Sequence, residues 1–177
     1  MAFGIRTPRL LLREWRDEDT EAFAAMSADP ALTEYLLPPD EDWVPRARRR
    51  WAERGFGQFV VELPGEASFI GVVGLGDLHP AVPAAPAIEA AWRLARLYWG
   101  KGYAFEAARA ALDDGFYRLG LDKIVAITVV GNRRSWRVME RLGMIRDAND
   151  DFDFEHPRLP PGHPLRRHVL YRLRRPG

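Results

Sequence analysis

The run from Lys123 to Val130, Lys-Ile-Val-Ala-Ile-Thr-Val-Val, constrains this chain more than any other stretch. Its β-branched residues follow one another without polar alternation, which marks a strand covered on both faces. Such a strand belongs in the middle of a sheet, with one layer above it and one below. Its flanks are equally regular. Asn132 opens a helix through "RRSWRVMERL" that Gly143 stops. Upstream, Ile88, Ala90, Trp92 and Leu94 alternate with Glu89, Ala91, Arg93 and Ala95, the period of a strand. The stretch "YWGKGYAFEA" (Tyr98 to Ala107) then turns through two glycines into a second helix. Ala104, Ala108, Ala111, Leu112 and Phe116 form the apolar stripe of that helix, which ends near Leu119 ahead of Gly120 and Leu121. Right-handed crossover makes the two strands parallel neighbours, and divergence of their C-terminal ends leaves a cleft.

The remaining segments extend the sheet. "RLLLREW" (Arg9 to Trp15) reads as a strand, followed by a short amphipathic helix that stops near Pro30. Trp43, Ala47 and Trp51 define another helix, ended by Gly55. Gln58 to Leu63 and Ser68 to Leu78 form a hairpin around Pro64-Gly65. A Pro/Ala loop leads into the Glu89 strand, a long irregular segment follows Met144, and "RHVLYRL" closes as a strand. The order β-α-α-β-β-β-α-β-α-β predicts one α+β domain over residues 1–177. Its sheet is expected to be mixed and mostly antiparallel, with about six to seven strands and about four flanking helices, and a V-shaped cleft between two parallel central strands.

Composition removes several function classes. There is no cysteine, so disulfides, thiolate metal sites and a cysteine nucleophile are out. The formal net charge of +1 gives no general pull towards nucleic acid or membrane. No run approaches the ~20 apolar residues of a membrane span, and the first residues lack a signal-peptide pattern, so a cytoplasmic protein is expected. His79, His156, His163 and His168 lack metal-ligand spacing, and no metal is expected. Only Lys101 and Lys123 are lysines among the basic residues, a bias that fits a GC-rich bacterial genome.

Gly100 and Gly102 let backbone approach a ligand, Lys101 adds charge, and the helix behind them offers free N–H groups. The spacing fits neither a P-loop nor a dinucleotide fingerprint. Alone, the turn suits a phosphate seat and a purely structural role equally well. Across the expected cleft stand Asn132 and Ser135, which are also good helix-start residues in their own right.

The pairing of "WRLARLYWGKGYAFEA" with "VVGNRRSWRVMERLGM" resembles the GNAT superfamily of N-acetyltransferases. The likeness runs from about Thr7 to Met144, and "TPRLLLREWRDED" is similar to the opening of the Rim-type subgroup, which acetylates N-terminal amines of ribosomal proteins. The resemblance implies acetyl-CoA as co-substrate. Its pyrophosphate would lie on backbone amides of Trp99, Gly100, Lys101, Gly102, Tyr103 and Ala104, where Trp99 stands in place of the family's Gln or Arg. Its pantetheine arm would pair with backbone at Arg93, Leu94 and Ala95, and Asn132 would contact CoA. The acceptor would be a primary amine, either a protein N-terminus or a small molecule, and the protein a monomer or homodimer.

Acetyl transfer to an amine needs a base, an oxyanion donor and an acid. Glu89 is the first candidate base, a lone carboxylate in an apolar strand, although a rim residue paired with a neighbouring strand would look the same. Arg93 shares its face but lies roughly 13 Å away along the strand, too far for a direct ion pair. Glu155, in the long loop, is the second candidate. The resemblance places Ser135 as acid, with Tyr103 and Tyr171 as fallback hydroxyls, and a main-chain N–H near Leu94 as oxyanion donor. A non-catalytic acyl-CoA-binding module on the same fold is the rival reading.

Overall fold

The computed structural model describes residues 3–177. Its elements follow in the order β1 (Gly4–Arg6), β2 (Leu11–Arg13), α1 (Asp19–Ser27), α2 (Pro30–Thr33), α3 (Trp43–Arg54), β3 (Gln58–Leu63), β4 (Ala67–Asp77), β5 (Ile88–Leu94), α4 (Tyr103–Asp113), β6 (Lys123–Val129), α5 (Arg133–Arg141), β7 (Ile145–Arg146), β8 (Phe152–Asp153) and β9 (Arg167–Arg174). The strands form one sheet in the spatial order β1-β2-β3-β4-β5-β6-β9-β7, with β8 also on β9. All neighbours are antiparallel except β5 and β6. This is the mixed, mostly antiparallel α+β sheet that the sequence predicts.

The described strands number nine against the expected six or seven. The extra ones are β1, β7 and β8, of three, two and two residues. Strands so short carry no readable alternation; β7 and β8 form on the ladder that the longer β9 offers, and β1 on β2. The described helices are five against about four, the addition being the single-turn α2 with Pro30 at its start and Asp29 as cap.

The central strand is buried over most of its length: Ile124, Val125 and Ala126 are at most 1% exposed. Ile124 and Ala126 belong to the main core with Ala107, Ala108, Ala111 and Leu112 of α4. Val125 turns to the opposite face, where Leu78, Val82, Phe152 and Leu170 cover it. The two-sided covering implied by the β-branched run is thus supplied by a helix on one face and by loop and sheet residues on the other.

Where β5 meets β6, one pairing holds them together, Glu89 with Val125. Beyond it β5 follows β4, pairing from Asp77–Ile88 to Gly71–Leu94, while β6 follows β9 from Lys123–Arg174 to Val129–His168. The sheet therefore splits towards the C-terminal ends of both strands. Gly71 is where β4 and β5 come closest: its φ is 150°, and a Cβ there would lie 2.2 Å from the Arg93 carbonyl oxygen.

The main buried charge lies beyond the split. Arg13, 5% exposed, holds both carboxylate oxygens of Asp19 at 2.7 and 2.8 Å, Glu62 at 2.9 Å and the Ser68 carbonyl at 2.7 Å. One guanidinium thus joins β2, α1, β3 and β4. Removing Asp19 would take away the bidentate partner of that buried charge and leave Glu62 alone to match it, a loss of about 3 kcal/mol. Asp19→Ala is expected to lower the urea midpoint accordingly, while a substitution at the exposed Asp17 leaves it within error.

Candidate active site

The split opens a cleft of about 660 Å³ that passes between β5 and β6. Glu89, Arg93 and Leu94 line it from β5; Ile127 and Thr128 from β6; Asn132 and Ser135 from α5; Trp99, Gly100, Gly102, Tyr103 and Ala104 from the glycine turn and α4; and Ala31, Leu32, Tyr35 and Leu36 from α2 and the chain after it. Nearly all the residues singled out from the sequence meet here. Lys101 and Ala95 do not line it. The Lys101 carbonyl accepts a hydrogen bond from Arg9 Nη1 at 3.0 Å, and the Ala95 N–H turns away to the Ile70 carbonyl at 2.9 Å.

That last bond fixes the polarity of the strand edge. In an antiparallel ladder the N–H and C=O of alternate residues point to alternate sides. With Ala95 N–H directed at β4, the Leu94 N–H and C=O face the cleft. Trp99 Nε1 already donates to the Leu94 carbonyl at 2.7 Å, which ties the turn to the strand. The Leu94 N–H is left as an open donor among the described residues.

Gly100 and Gly102 both have positive φ, 75° and 82°, which glycine adopts without strain. Gly102 caps α4 with no side-chain hydrogen bond to the first turn. The first N–H groups of the helix therefore point at the cleft mouth unsatisfied, a fit for phosphate oxygens. Glu106 in that first turn would repel an anion, but it is engaged on the far side, accepting from Thr7 Oγ1 at 2.6 Å, Arg9 N–H at 2.9 Å and Arg9 Nε at 2.7 Å. These bonds hold its pKa below the usual glutamate range against the opposing effect of burial.

Across the cleft, Asn132 Oδ1 accepts from the Ser135 N–H at 3.2 Å and Asn132 Nδ2 donates to Thr128 Oγ1 at 3.2 Å. The cap reading of this pair is realised in the structure. It leaves the Ser135 hydroxyl without a protein partner among the described residues, on the cleft wall and 9% exposed. Tyr103 also lines the cleft, beneath the Arg9 guanidinium at 4.6 Å. Tyr171 does not: its hydroxyl bonds Glu140 at 3.2 Å on the outer side of α5.

Glu89 sits at the apex of the split, partly buried, and makes no ion pair among the described residues. Burial pushes its carboxyl up to about 7, with Arg93 pulling the other way. Glu155 is 86% exposed, lies 3.7 Å from Arg166 and is absent from the cleft; the acidic loop turns its charges outwards. Sequence reasoning did not single out Arg96, Arg134, Arg137 and Arg141, which line the cleft as well. Spacing of three and four residues along α5 was the available signal for the last three. Arg134 lies 4.5 Å over the Trp99 ring and Arg141 4.4 Å over Phe105.

A family model described as an acetyltransferase (GNAT) domain matches residues 9–145. The chain belongs to the GNAT acetyltransferase family. This GNAT protein is 30% identical to the uncharacterized N-acetyltransferase YnaD of Bacillus subtilis over 81% of its own length and 84% of that protein's. Among solved structures it is similar to an acetyltransferase from Agrobacterium tumefaciens, with a TM-score of 0.75, 30% identity, and 97% and 94% of the two chains covered. It shares its fold with the Vibrio cholerae spermidine N-acetyltransferase solved with CoA and spermine, at a TM-score of 0.74 and 20% identity over 96% and 97% of the chains.

The raised Glu89 pKa has a sign that can be checked. Between the unfolded value near 4.5 and the folded value near 7, the native state keeps a proton that the unfolded chain has lost. Stability from this group is complete below the lower value and falls as pH rises through the window, by up to about 1.4 kcal/mol per pH unit. Glu89→Gln is expected to flatten that part of the denaturation profile and to be more stable than the native protein at pH 8.

Proposed function

We propose that this GNAT protein is an acetyl-CoA-dependent N-acetyltransferase acting on a primary amine by direct attack. The observation that carries the reading is that a carboxylate of raised pKa, an open strand N–H and an uncapped glycine-turn helix all line one cleft. Acetyl-CoA supplies the acetyl group as a thioester. Its phosphates would lie on the N–H groups of Gly100 to Ala104 with Arg134 and Arg137 beside them, and its pantetheine arm along the Arg93–Leu94 edge. A protein of the same fold has been solved with CoA bound.

The residues divide the chemistry among themselves. Glu89 takes the proton that the attacking amine must shed as the new C–N bond forms, and a base with a pKa near 7 suits that task. The Leu94 N–H donates to the carbonyl oxygen as charge gathers on it. The Ser135 hydroxyl is placed to give a proton to the departing thiolate as the C–S bond breaks. No covalent enzyme intermediate is needed, in keeping with a chain that has no cysteine. Within the family the Rim-type subgroup is our reading, supported by Trp99 at the head of the glycine turn and by the Thr7 to Asp19 opening.

Glu89→Gln should cut kcat with acetyl-CoA and an amine by about 100-fold or more and abolish the rise of kcat/KM through pH 7. CoA affinity by calorimetry should stay within a few-fold. A native protein that binds CoA but releases no thiol with any amine is the binding-module reading instead. Gly102→Asp, which adds both a side chain at positive φ and a negative charge to the seat, is expected to abolish CoA binding. Lys101→Ala should only weaken it.

A further inference from the structure

The acceptor side of the cleft holds a cation without a partner. Arg93 shares the sheet face of Glu89 and Ala91, and on that face it meets the Trp43 ring, 5.5 Å from its guanidinium carbon. It makes no hydrogen bond to protein and no ion pair among the described residues. Burial pulls its pKa down and Glu89 only partly offsets this. Most of the other buried or partly buried arginines are held by carboxylates: Arg13 by Asp19 and Glu62, Arg50 by Asp77, Arg146 by Asp151, Arg172 by Asp150, while Arg109 reaches the Leu142 carbonyl at 3.4 Å. A guanidinium has five donors in a planar fork, and a ring face satisfies none of them as hydrogen bonds. Taking such a group out of water without a counter-ion is costly.

The wall that carries Arg93 is fixed. Trp43 stacks on Phe23 at 4.4 Å and meets Trp15 edge-on at 5.8 Å. The arginine is therefore held facing the cleft by packed aromatics, opposite the apolar α2 side. The charge inventory of the cleft points the same way. Its lining has five arginines and one acidic side chain, Glu89. With Arg134 and Arg137 given to the CoA phosphates, Arg93 is the cation that a polyamine would meet on the wall it shares with Glu89, and the spermidine acceptor of the Vibrio protein is a poor match for this wall.

We propose that Arg93 binds a carboxylate of the acceptor, so that the substrate is an amine carrying a carboxylate a few bonds from its nitrogen, an amino-acid-type zwitterion. The inference rests on the acetyltransferase reading and narrows its acceptor to a small molecule, away from the protein N-terminus that the Rim-type subgroup takes. Glu89 and Arg93 stand four strand residues apart with roughly 13 Å between their Cα atoms, a span that the two side chains and such a zwitterion fill together. The ammonium faces the base and gives up its proton there, while the carboxylate meets the fork of Arg93 in bidentate fashion. The same contact orients the nitrogen towards the acetyl group, and the apolar residues Leu32 and Leu36 suit an apolar side chain on the acceptor.

The test compares matched amines with acetyl-CoA, following thiol release: phenylalanine, phenylalaninamide and phenethylamine; leucine, leucinamide and isoamylamine; and spermidine. The carboxylate-bearing member of each set should have the highest kcat/KM, by at least about tenfold over its amide, the size of a charge-assisted hydrogen-bonded pair. In Arg93→Gln that ratio should collapse towards one, chiefly through KM, and Arg93→Lys should restore part of it. Thermal unfolding confirms that both variants fold. Preference for the amides, for the decarboxylated amines or for spermidine overturns the inference and leaves the acetyltransferase reading standing. If no amine turns over while CoA binds, the acetyltransferase reading falls instead. Calorimetry of N-acetylphenylalanine against the CoA-loaded protein then decides the anion site: binding lost in Arg93→Gln upholds it, and absence of binding to the native protein ends it.

Discussion

One backbone pairing, Glu89 with Val125, is the point on which the rest of this structure turns. On either side of it two continuous antiparallel halves are each fully laddered, β4 with β5 and β6 with β9. At that point they touch as parallel neighbours and then part. A β-sheet ordinarily hides its edges or blunts them; here an edge is opened in the interior. Everything chemical in the molecule is arranged along it. The carboxylate stands at the apex, the open N–H of Leu94 stands further out, and a helix N-terminus waits at the mouth.

Keeping such a split open needs bracing, and the bracing is polar. Trp99 takes the Leu94 carbonyl, so the edge presents a donor without the neighbouring acceptor. Asn132 is bonded to both Thr128 and Ser135, so the β6 side has its own brace. Arg13 draws four elements together away from the cleft, and its charges are fully matched. Arg93 contrasts with Arg13: Arg13 has its counter-ions in the chain, whereas Arg93 lines the cleft and meets only the Trp43 ring. The contrast assigns one to architecture and the other to recognition.

Much of this was legible in the sequence because its signals are local. The β-branched run, the glycine stops and the alternation around Glu89 each report on a handful of consecutive residues, and they place the parallel pair and its cleft. β1, β7 and β8 left no such trace, since two or three residues cannot display a period. The roles of individual charges were harder to read. Arg93 could be placed on the face of Glu89 from alternation, yet its lack of a partner depends on what α1, α3 and the remaining strands bring near it. Glu155 and Tyr171 have chemistry suited to catalysis, but the fold commits one to solvent and the other to Glu140. Arg134, Arg137 and Arg141 drew no attention in the sequence, because their place on the cleft wall depends on α5 being set against the glycine turn.

The contact between Arg9 and Glu106 has a further consequence. Through it, and through the Lys101 carbonyl, the glycine turn is fastened to residues that precede β2 by a few positions and lie almost a hundred positions upstream. The mouth of the cleft is thus set partly by the start of the chain. A fusion or trimming at that end, chosen as harmless because it is remote in sequence, would act on the rim of the site, and the first hairpin is as much a part of the cleft's frame as the helices that line it.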